Sequence, residues 1–144
     1  MYRKHHPAIR RSRYAPGTGT PVFTVDNVTF GILLCYDSTF PDLATRLARN
    51  GATLIFVPTN NGLPNAHDSS EAAALARYCD VARAVENRVW IIRADVAGRS
   101  GVLDSRGSTR FVAPDGSVVA EAEAGSTDLV IVDIPTKVEL ERQG

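Results

Sequence analysis

A side chain able to act as a nucleophile near neutral pH is most simply a cysteine, because its thiolate is accessible there. The sequence offers two, Cys35 and Cys79. Cys35 ends the apolar run Phe30-Gly31-Ile32-Leu33-Leu34 and lies a few residues before a predicted helix. Strand ends are where α/β folds place ligand sites. A helix N-terminus supplies free N–H groups and a partial positive charge, and both stabilise a thiolate. The backbone N–H of Tyr36 is a candidate donor to a developing oxyanion. Position alone leaves open the alternative that Cys35 is a small buried hydrophobe. Cys79 falls on the apolar face of a predicted helix and reads as core, and a Cys35–Cys79 bridge stays open.

The other chemistry-bearing residues say less by themselves. Lys4 sits in the basic stretch Tyr2-Arg3-Lys4-His5-His6-Pro7, where a lysine alone reads as a solvated charge. His5 and His6 are adjacent, so they share no face of a strand or helix, and no paired metal site is expected. His67 is a lone loop histidine. It leaves a Ser-His-Asp arrangement open, although no Gly-x-Ser-x-Gly elbow is present. Gly17-Thr18-Gly19 lacks the strand–glycine–helix setting of a nucleotide site.

The elements that must position these residues follow from periodicity. Residues 1–20 have loop composition. Val22, Phe23 and Val25 read as a short strand, Asp26-Asn27 as a turn, and Val28 to Cys35 as a buried strand. Phe40, Leu43, Ala44, Leu47 and Ala48 make one helical stripe, with Ser38 or Thr39 as cap, Pro41 in the first turn and Asn50-Gly51 as the stop. Thr53 to Val57 reads as a strand buried on both faces, which completes a βαβ unit. Residues 58–68 read as a loop. Asp68 and Glu71 have capping-box spacing ahead of a helix to about Asn87, with Leu75, Tyr78, Cys79, Ala82 and Val85 on its apolar face. Val89 to Ala94 is the next strand. Arg99 to Arg106 is polar and glycine-containing. Thr109–Ala113 and Val118–Ala122 flank the turn Pro114-Asp115-Gly116-Ser117, and Leu129 to Ile134 reads as a last strand. The class is α/β. Two helices cover such a sheet poorly, so one face needs cover from a second subunit or from additional chain. Asn60 and Asn61 follow a parallel strand on the same sheet edge as Cys35 and are expected to line a substrate pocket.

Together these segments resemble the nitrilase, or carbon–nitrogen hydrolase, superfamily. Tyr2-Arg3-Lys4-His5-His6 resembles its lysine motif, with His6-Pro7 where His-Leu is usual. Gly31-Ile32-Leu33-Leu34-Cys35-Tyr36-Asp37-Ser38-Thr39-Phe40-Pro41 resembles its cysteine motif, with a Gly before the Cys and Phe-Pro after it. Three weaker marks agree in order: Gly51-Ala52 running into Val57-Pro58-Thr59-Asn60-Asn61, then Arg83-Ala84-Val85-Glu86-Asn87, then Gly107-Ser108 ahead of Pro114-Asp115-Gly116. The resemblance implies part of an αββα sandwich, pairing into a homo-oligomer through the helix over residues 70–87. It implies hydrolysis of a non-peptide C–N bond in a small amide, nitrile or carbamoyl compound through a cysteine thioester-type intermediate, with no metal and no organic cofactor. Carried over, Cys35 is the nucleophile and Lys4 the lysine that stabilises the tetrahedral intermediate. Tyr36, Asn60 and Asn61 are the expected substrate-binding residues.

The general-base glutamate of that family lies well before its lysine motif, and here the sequence starts three residues ahead of Lys4. Residues 5–34 contain no Glu either, and Asp26 is their only acid. Residues 1–144 are therefore expected to form one N-terminally truncated carbon–nitrogen hydrolase domain, and an inactive homologue acting as a subunit or binding partner is the alternative. Composition adds bounds. Apolar residues make up 44%, charged residues 22%, and the formal net charge is +0, so nothing global points to nucleic acid or an anionic membrane. Arg3, Lys4, Arg10, Arg11 and Arg13 precede the first acid and read as a solvated arm, with anion binding as a third reading. No apolar stretch reaches the length of a membrane span, no secretory signal is visible, and two cysteines are too few for a disulfide framework. A cytoplasmic protein is expected.

Overall fold

The computed structural model describes residues 1–7 and 15–135. Arg10, Arg11 and Arg13 of the expected basic arm lie outside the described residues. Strand β1 (Phe23–Val25) turns through Asp26, which takes a left-handed φ of 51°, into the antiparallel β2 (Val28–Ile32). Strand β2 then pairs in parallel with β3 (Leu54–Thr59), and β3 in parallel with β4 (Trp90–Asp95). Helix α1 (Pro41–Arg49) and helix α2 (Ala66–Asn87) make the two crossovers. Strands β5 (Ala97–Ser100) and β6 (Leu103–Arg106) form a separate two-stranded sheet. Strands β7 (Arg110–Val112) and β8 (Val118–Glu121) close the main sheet, whose order is β1-β2-β3-β4-β7-β8. The repeated βαβ pattern and both hairpins expected from sequence are present.

Helices α1 and α2 touch each other and pack on one face of this sheet. Pleating sends alternate side chains to opposite faces, and Leu33, Ile55, Val57, Ile91 and Val112 pack with Leu43 and Leu47 of α1 in the core. Each such side chain, fully buried, contributes about 1.5–3 kcal/mol. Gly31 is needed here, because a Cβ would lie 2.7 Å from a methyl of Leu47. The opposite face carries Phe30, Ile32, Phe56 and Ile92, with Phe30 stacked on Phe23 and edge-on to Phe56. No helix among the described residues covers it. This is the face left short of cover in the sequence pattern.

Four expectations change. Phe40, not Ser38 or Thr39, is the N-cap of α1, and it makes no side-chain cap. The two hydroxyls instead serve a 3-10 turn over Cys35–Thr39, Ser38 donating to the carbonyl of Cys35 (2.9 Å) and Thr39 to that of Tyr36 (2.8 Å). Helix α2 starts three residues early because Asn65, already extended, caps it by accepting the Asp68 N–H at 2.9 Å, so the capping box at Asp68 and Glu71 does not form. The inner face of α2 holds Ser69, Ala76, Cys79, Asp80, Arg83 and Ala84, while Leu75, Tyr78 and Val85 are exposed. The reason is that α2 packs against the buried arginines of β4 and β7, and Asp80 must face them. Finally, Leu129–Ile134 forms no strand. No described segment pairs with it, and Leu129 and Ile131 stand in solvent. The polar stretch Arg99–Arg106, in contrast, lies within the hairpin of β5 and β6.

Candidate active site

Cys35 stands where β2 gives way to the 3-10 turn, six residues before α1 begins. Its φ is 52°, a left-handed conformation that a side chain with a Cβ adopts at a cost of about 1–3 kcal/mol. Such strain persists only where surrounding contacts fix it, and it concentrates at functional sites. Both cysteines are free, which settles the open bridge, and Cys79 is buried as expected for core. Burial pushes the Cys79 thiol pKa up, which disfavours its thiolate.

Lys4 reaches the cysteine turn from a distant part of the chain. Its ammonium donates to the carbonyl of Leu34, the residue before Cys35. The clamp that brings it there is Asp37, which sequence reasoning left without a role. This carboxylate is fully buried and accepts from the Tyr2 hydroxyl (2.6 Å), the His5 N–H (3.1 Å) and the His6 N–H (2.7 Å). Burial, then the hydrogen bond and charge of Asp37, push the Tyr2 phenol pKa well up. His6 adds a ring stack on Phe40 with centroids 3.6 Å apart. On the other side Gly17 donates its N–H to the carbonyl of Lys4 at 2.9 Å. The segment from Tyr2 to His6 is thus held between the cysteine turn and the 15–20 loop.

The third contribution is the loop after β3. The Cys35 sulfur lies 3.8 Å from Asn61 Oδ1 and 4.0 Å from the Asn60 carbonyl oxygen. Asp95, at the end of β4, fixes Asn61 by accepting its backbone N–H (3.2 Å) and its side-chain amide (3.1 Å), and it also accepts the Ser108 hydroxyl at 2.5 Å. The β5–β6 hairpin steadies the same loop through reciprocal backbone bonds between Leu63 and Asp104 (3.0 and 2.8 Å). A cleft of about 450 Å³ opens over these groups, lined by Cys35, Tyr36, Asn60 and Asn61. Leu63, Ala72, Leu75 and Ala76 make its apolar wall, and no carboxylate among the described residues lines it.

Of the residues expected from sequence, Cys35, Tyr36, Asn60 and Asn61 therefore share one cleft, and Lys4 approaches from behind the cysteine without lining it. Asp37 stands inside the cysteine motif, yet nothing in the sequence says which donors it meets. Asp95 carried no signal at all. His67 lies apart with Asp68 and Glu71 in an exposed cluster, so neither a catalytic triad nor a buried metal centre forms there. Among the described residues no helix is long and apolar enough to cross a membrane.

A cysteine at a strained strand end, a lysine docked beside it and an amide-bearing loop across a cleft are parts suited to acyl transfer. The chain is 36% identical to a hydrolase from the pqqF 5′ region of Pseudomonas protegens over 124 residues, covering 84% of this chain and 41% of that protein. It is 30% identical to a probable nitrilase of Schizosaccharomyces pombe over 120 residues, covering 83% and 42%. Among solved structures it resembles an amidase of the nitrilase superfamily from Nesterenkonia, with a TM-score of 0.77 and 28% identity over 99% of this chain and 55% of that one. The chain thus spans about half the length of the relatives it matches. The carbon–nitrogen hydrolase profile matches residues 1–142, and with that extent of match and this fold, the chain belongs to the carbon–nitrogen hydrolase family.

Proposed function

We propose that residues 1–144 act as one domain of a hydrolase cleaving a non-peptide C–N bond in a small amide, nitrile or carbamoyl compound, with Cys35 as nucleophile. The observation that carries this reading is the strained Cys35 facing Asn60 and Asn61 across a cleft, with Lys4 held against its turn. The Cys35 sulfur bonds to the substrate carbon. In an amide or carbamoyl compound the C–N bond then breaks, and ammonia or an amine leaves with the thiol's proton; a nitrile first gives a thioimidate, to which one water adds before ammonia leaves. Water cleaves the resulting thioester, releasing the acid and the thiol. The Lys4 ammonium, held on the Leu34 carbonyl behind Cys35, adds positive charge that favours the thiolate and the developing oxyanion, and the Tyr36 N–H and the asparagine amides orient the substrate. Neither a metal nor an organic cofactor enters this scheme. The scheme also calls for a general base, and among the described residues no carboxylate lines the cleft. Such a base is worth about 10²–10⁴-fold in rate, and we assign it to the length of the relatives that this chain does not span. A Glu→Gln mutant of the Nesterenkonia amidase takes up acrylamide, and the acetamide moiety of fluoroacetamide, at its active-site cysteine, which makes the same reagents apt probes here.

A cleft with no carboxylate among the described residues also favours the second reading, an inactive homologue acting as a subunit. The exposed Leu75, Tyr78 and Val85 on α2 suit self-association into a homo-oligomer, and the cytoplasm is the compartment that fits two free cysteines. The deciding experiment combines two assays on one preparation: ammonia release from small amides and nitriles, and fluoroacetamide labelling of Cys35 against Cys79. Hydrolysis lost in Cys35→Ala, and lowered about 10²–10³-fold in Lys4→Ala, supports the enzyme. Fast Cys35 labelling without hydrolysis supports a partner-dependent subunit. Labelling of Cys35 no faster than of Cys79 removes the nucleophile assignment.

A further inference from the structure

The geometry points to Arg93 and Ser38 as positioning residues that hold the Cys35 turn in its strained conformation from beneath the cleft. This rests on the reading of Cys35 as nucleophile. Arg93 is 1% exposed and Ser38 2%, and both line the floor of the cleft that Cys35 opens into. The Arg93 guanidinium donates to Ser38 Oγ at 2.9 Å, and the Ser38 hydroxyl in turn donates a hydrogen bond to the carbonyl of Cys35 at 2.9 Å. A serine oxygen can accept one bond and donate another at the same time, so the relay leaves neither partner unsatisfied.

The guanidinium itself has little freedom. Asp80 of α2 takes it in a two-pronged pair (2.8 and 2.6 Å), and the Thr59 hydroxyl of β3 accepts a further bond at 2.6 Å. Arg110 of β7 donates to the same Asp80 at 3.0 Å and to Glu121 at 3.1 Å. Asp80 of α2, Thr59 of β3 and Ser38 of the 3-10 turn thus all bond one planar cation carried on β4, and Arg110 of β7 shares its Asp80. Through Ser38 that cation reaches the carbonyl of Cys35, the residue at positive φ. A buried ion pair is weak support for stability compared with an apolar core of the same shape. Its use here is orientation: a left-handed residue needs neighbours that over-determine it. Desolvation disfavours the Arg93 charge, but Asp80 and then Asp95 outweigh it, so the group stays a cation.

The test compares the unaltered chain with Ser38→Ala, which cuts the relay and leaves the Arg93–Asp80 pair whole, and with Arg93→Lys, which keeps charge but cannot supply the same planar fork. Cys35 labelling is followed with fluoroacetamide, which must meet the thiolate in a substrate-like pose, and with methyl methanethiosulfonate, which need not. Cys79 and the thermal midpoint report on the fold. We expect Ser38→Ala to slow fluoroacetamide labelling of Cys35 by about tenfold, since small misplacements carry large rate penalties, with methanethiosulfonate labelling changed less than about twofold. Arg93→Lys should fall between. Equal slowing by both reagents, or none, in a Ser38→Ala protein with an unchanged midpoint overturns the positioning role. A drop in midpoint with faster Cys79 labelling shows a purely structural role and overturns it as well. If Cys35 in the unaltered chain reacts with fluoroacetamide no faster than Cys79, the nucleophile reading itself falls, which is a separate failure.

Discussion

Replacing Asp37 by Asn tests whether one buried carboxylate docks the lysine segment onto the cysteine turn. The native carboxylate is fully buried and accepts three donors, from Tyr2, His5 and His6. A carboxamide keeps one acceptor oxygen. Placed to serve the His6 N–H, the shortest backbone bond at 2.7 Å, it turns its NH₂ toward Tyr2 and His5. The Tyr2 hydroxyl can rotate and accept instead of donating, but the His5 N–H has no such freedom. A buried donor left without an acceptor costs about 1–3 kcal/mol, and bonds to a charged group are the stronger kind. A net loss of about 2–3 kcal/mol follows, which is roughly a 30- to 150-fold fall in the docking equilibrium of residues 2–6. The assay is amide hydrogen exchange read residue by residue. Protection at His5 and His6 should fall by that factor while amides of β3 and β4 keep theirs, because the segment opens locally without unfolding the core. Fluoroacetamide labelling of Cys35 should slow in parallel as Lys4 leaves the turn. Protection at His5 and His6 within about twofold of the unaltered chain would refute the clamp. An equal fall at β3 would show that Asp37 supports the whole fold and not the docking of Lys4.

Two other perturbations probe the same frame. Asp80→Ala removes the shared acceptor of Arg93 and Arg110 and leaves two guanidiniums buried, so a loss of at least about 3–5 kcal/mol is expected, read as a fall in the urea midpoint; an unchanged midpoint would mean that water reaches both arginines. Alkaline titration tests Tyr2. Its folded pKa is raised above the ordinary phenol value of 10.0 by burial and by Asp37, so the unfolded chain loses that proton first. The stabilisation is therefore complete below about pH 10 and is lost as pH rises beyond it. Tyr2→Phe should flatten this alkaline decline in chemical-denaturation free energies, and superimposable pH profiles for the two proteins would sink the assignment.

Much of this was legible without coordinates because the signals are local. Apolar periodicity sets the βαβ repeat, and the turn Pro114-Asp115-Gly116-Ser117 sets the last hairpin. The spacing of Gly31, Cys35 and Phe40-Pro41 marks the cysteine turn, and the resemblance built on it led to the family. Sequence and structure part where a local signal met a competing partner or found none. The apolar stripe on α2 lost to the ion pairs of Asp80, which lies 13 residues from Arg93 and 30 from Arg110. The capping box at Asp68 lost to Asn65, an equally good cap placed earlier. Leu129–Ile134 has strand alternation but no partner strand among the described residues.

The sequence by itself determined which residue types could act and roughly where each stands along its element, since strand ends, helix stops and turns depend on neighbouring residues. Only the tertiary structure decided who meets whom. That Lys4 touches the Cys35 turn through Asp37, that Asp95 steadies Asn61, and that Arg93 reaches Ser38 are contacts spanning 31 to 55 residues of chain. Each is a hydrogen bond whose direction and length depend on the register of the sheet and the seat of two helices. No window of sequence carries that information, because many partners of the same type are chemically equivalent until packing selects one.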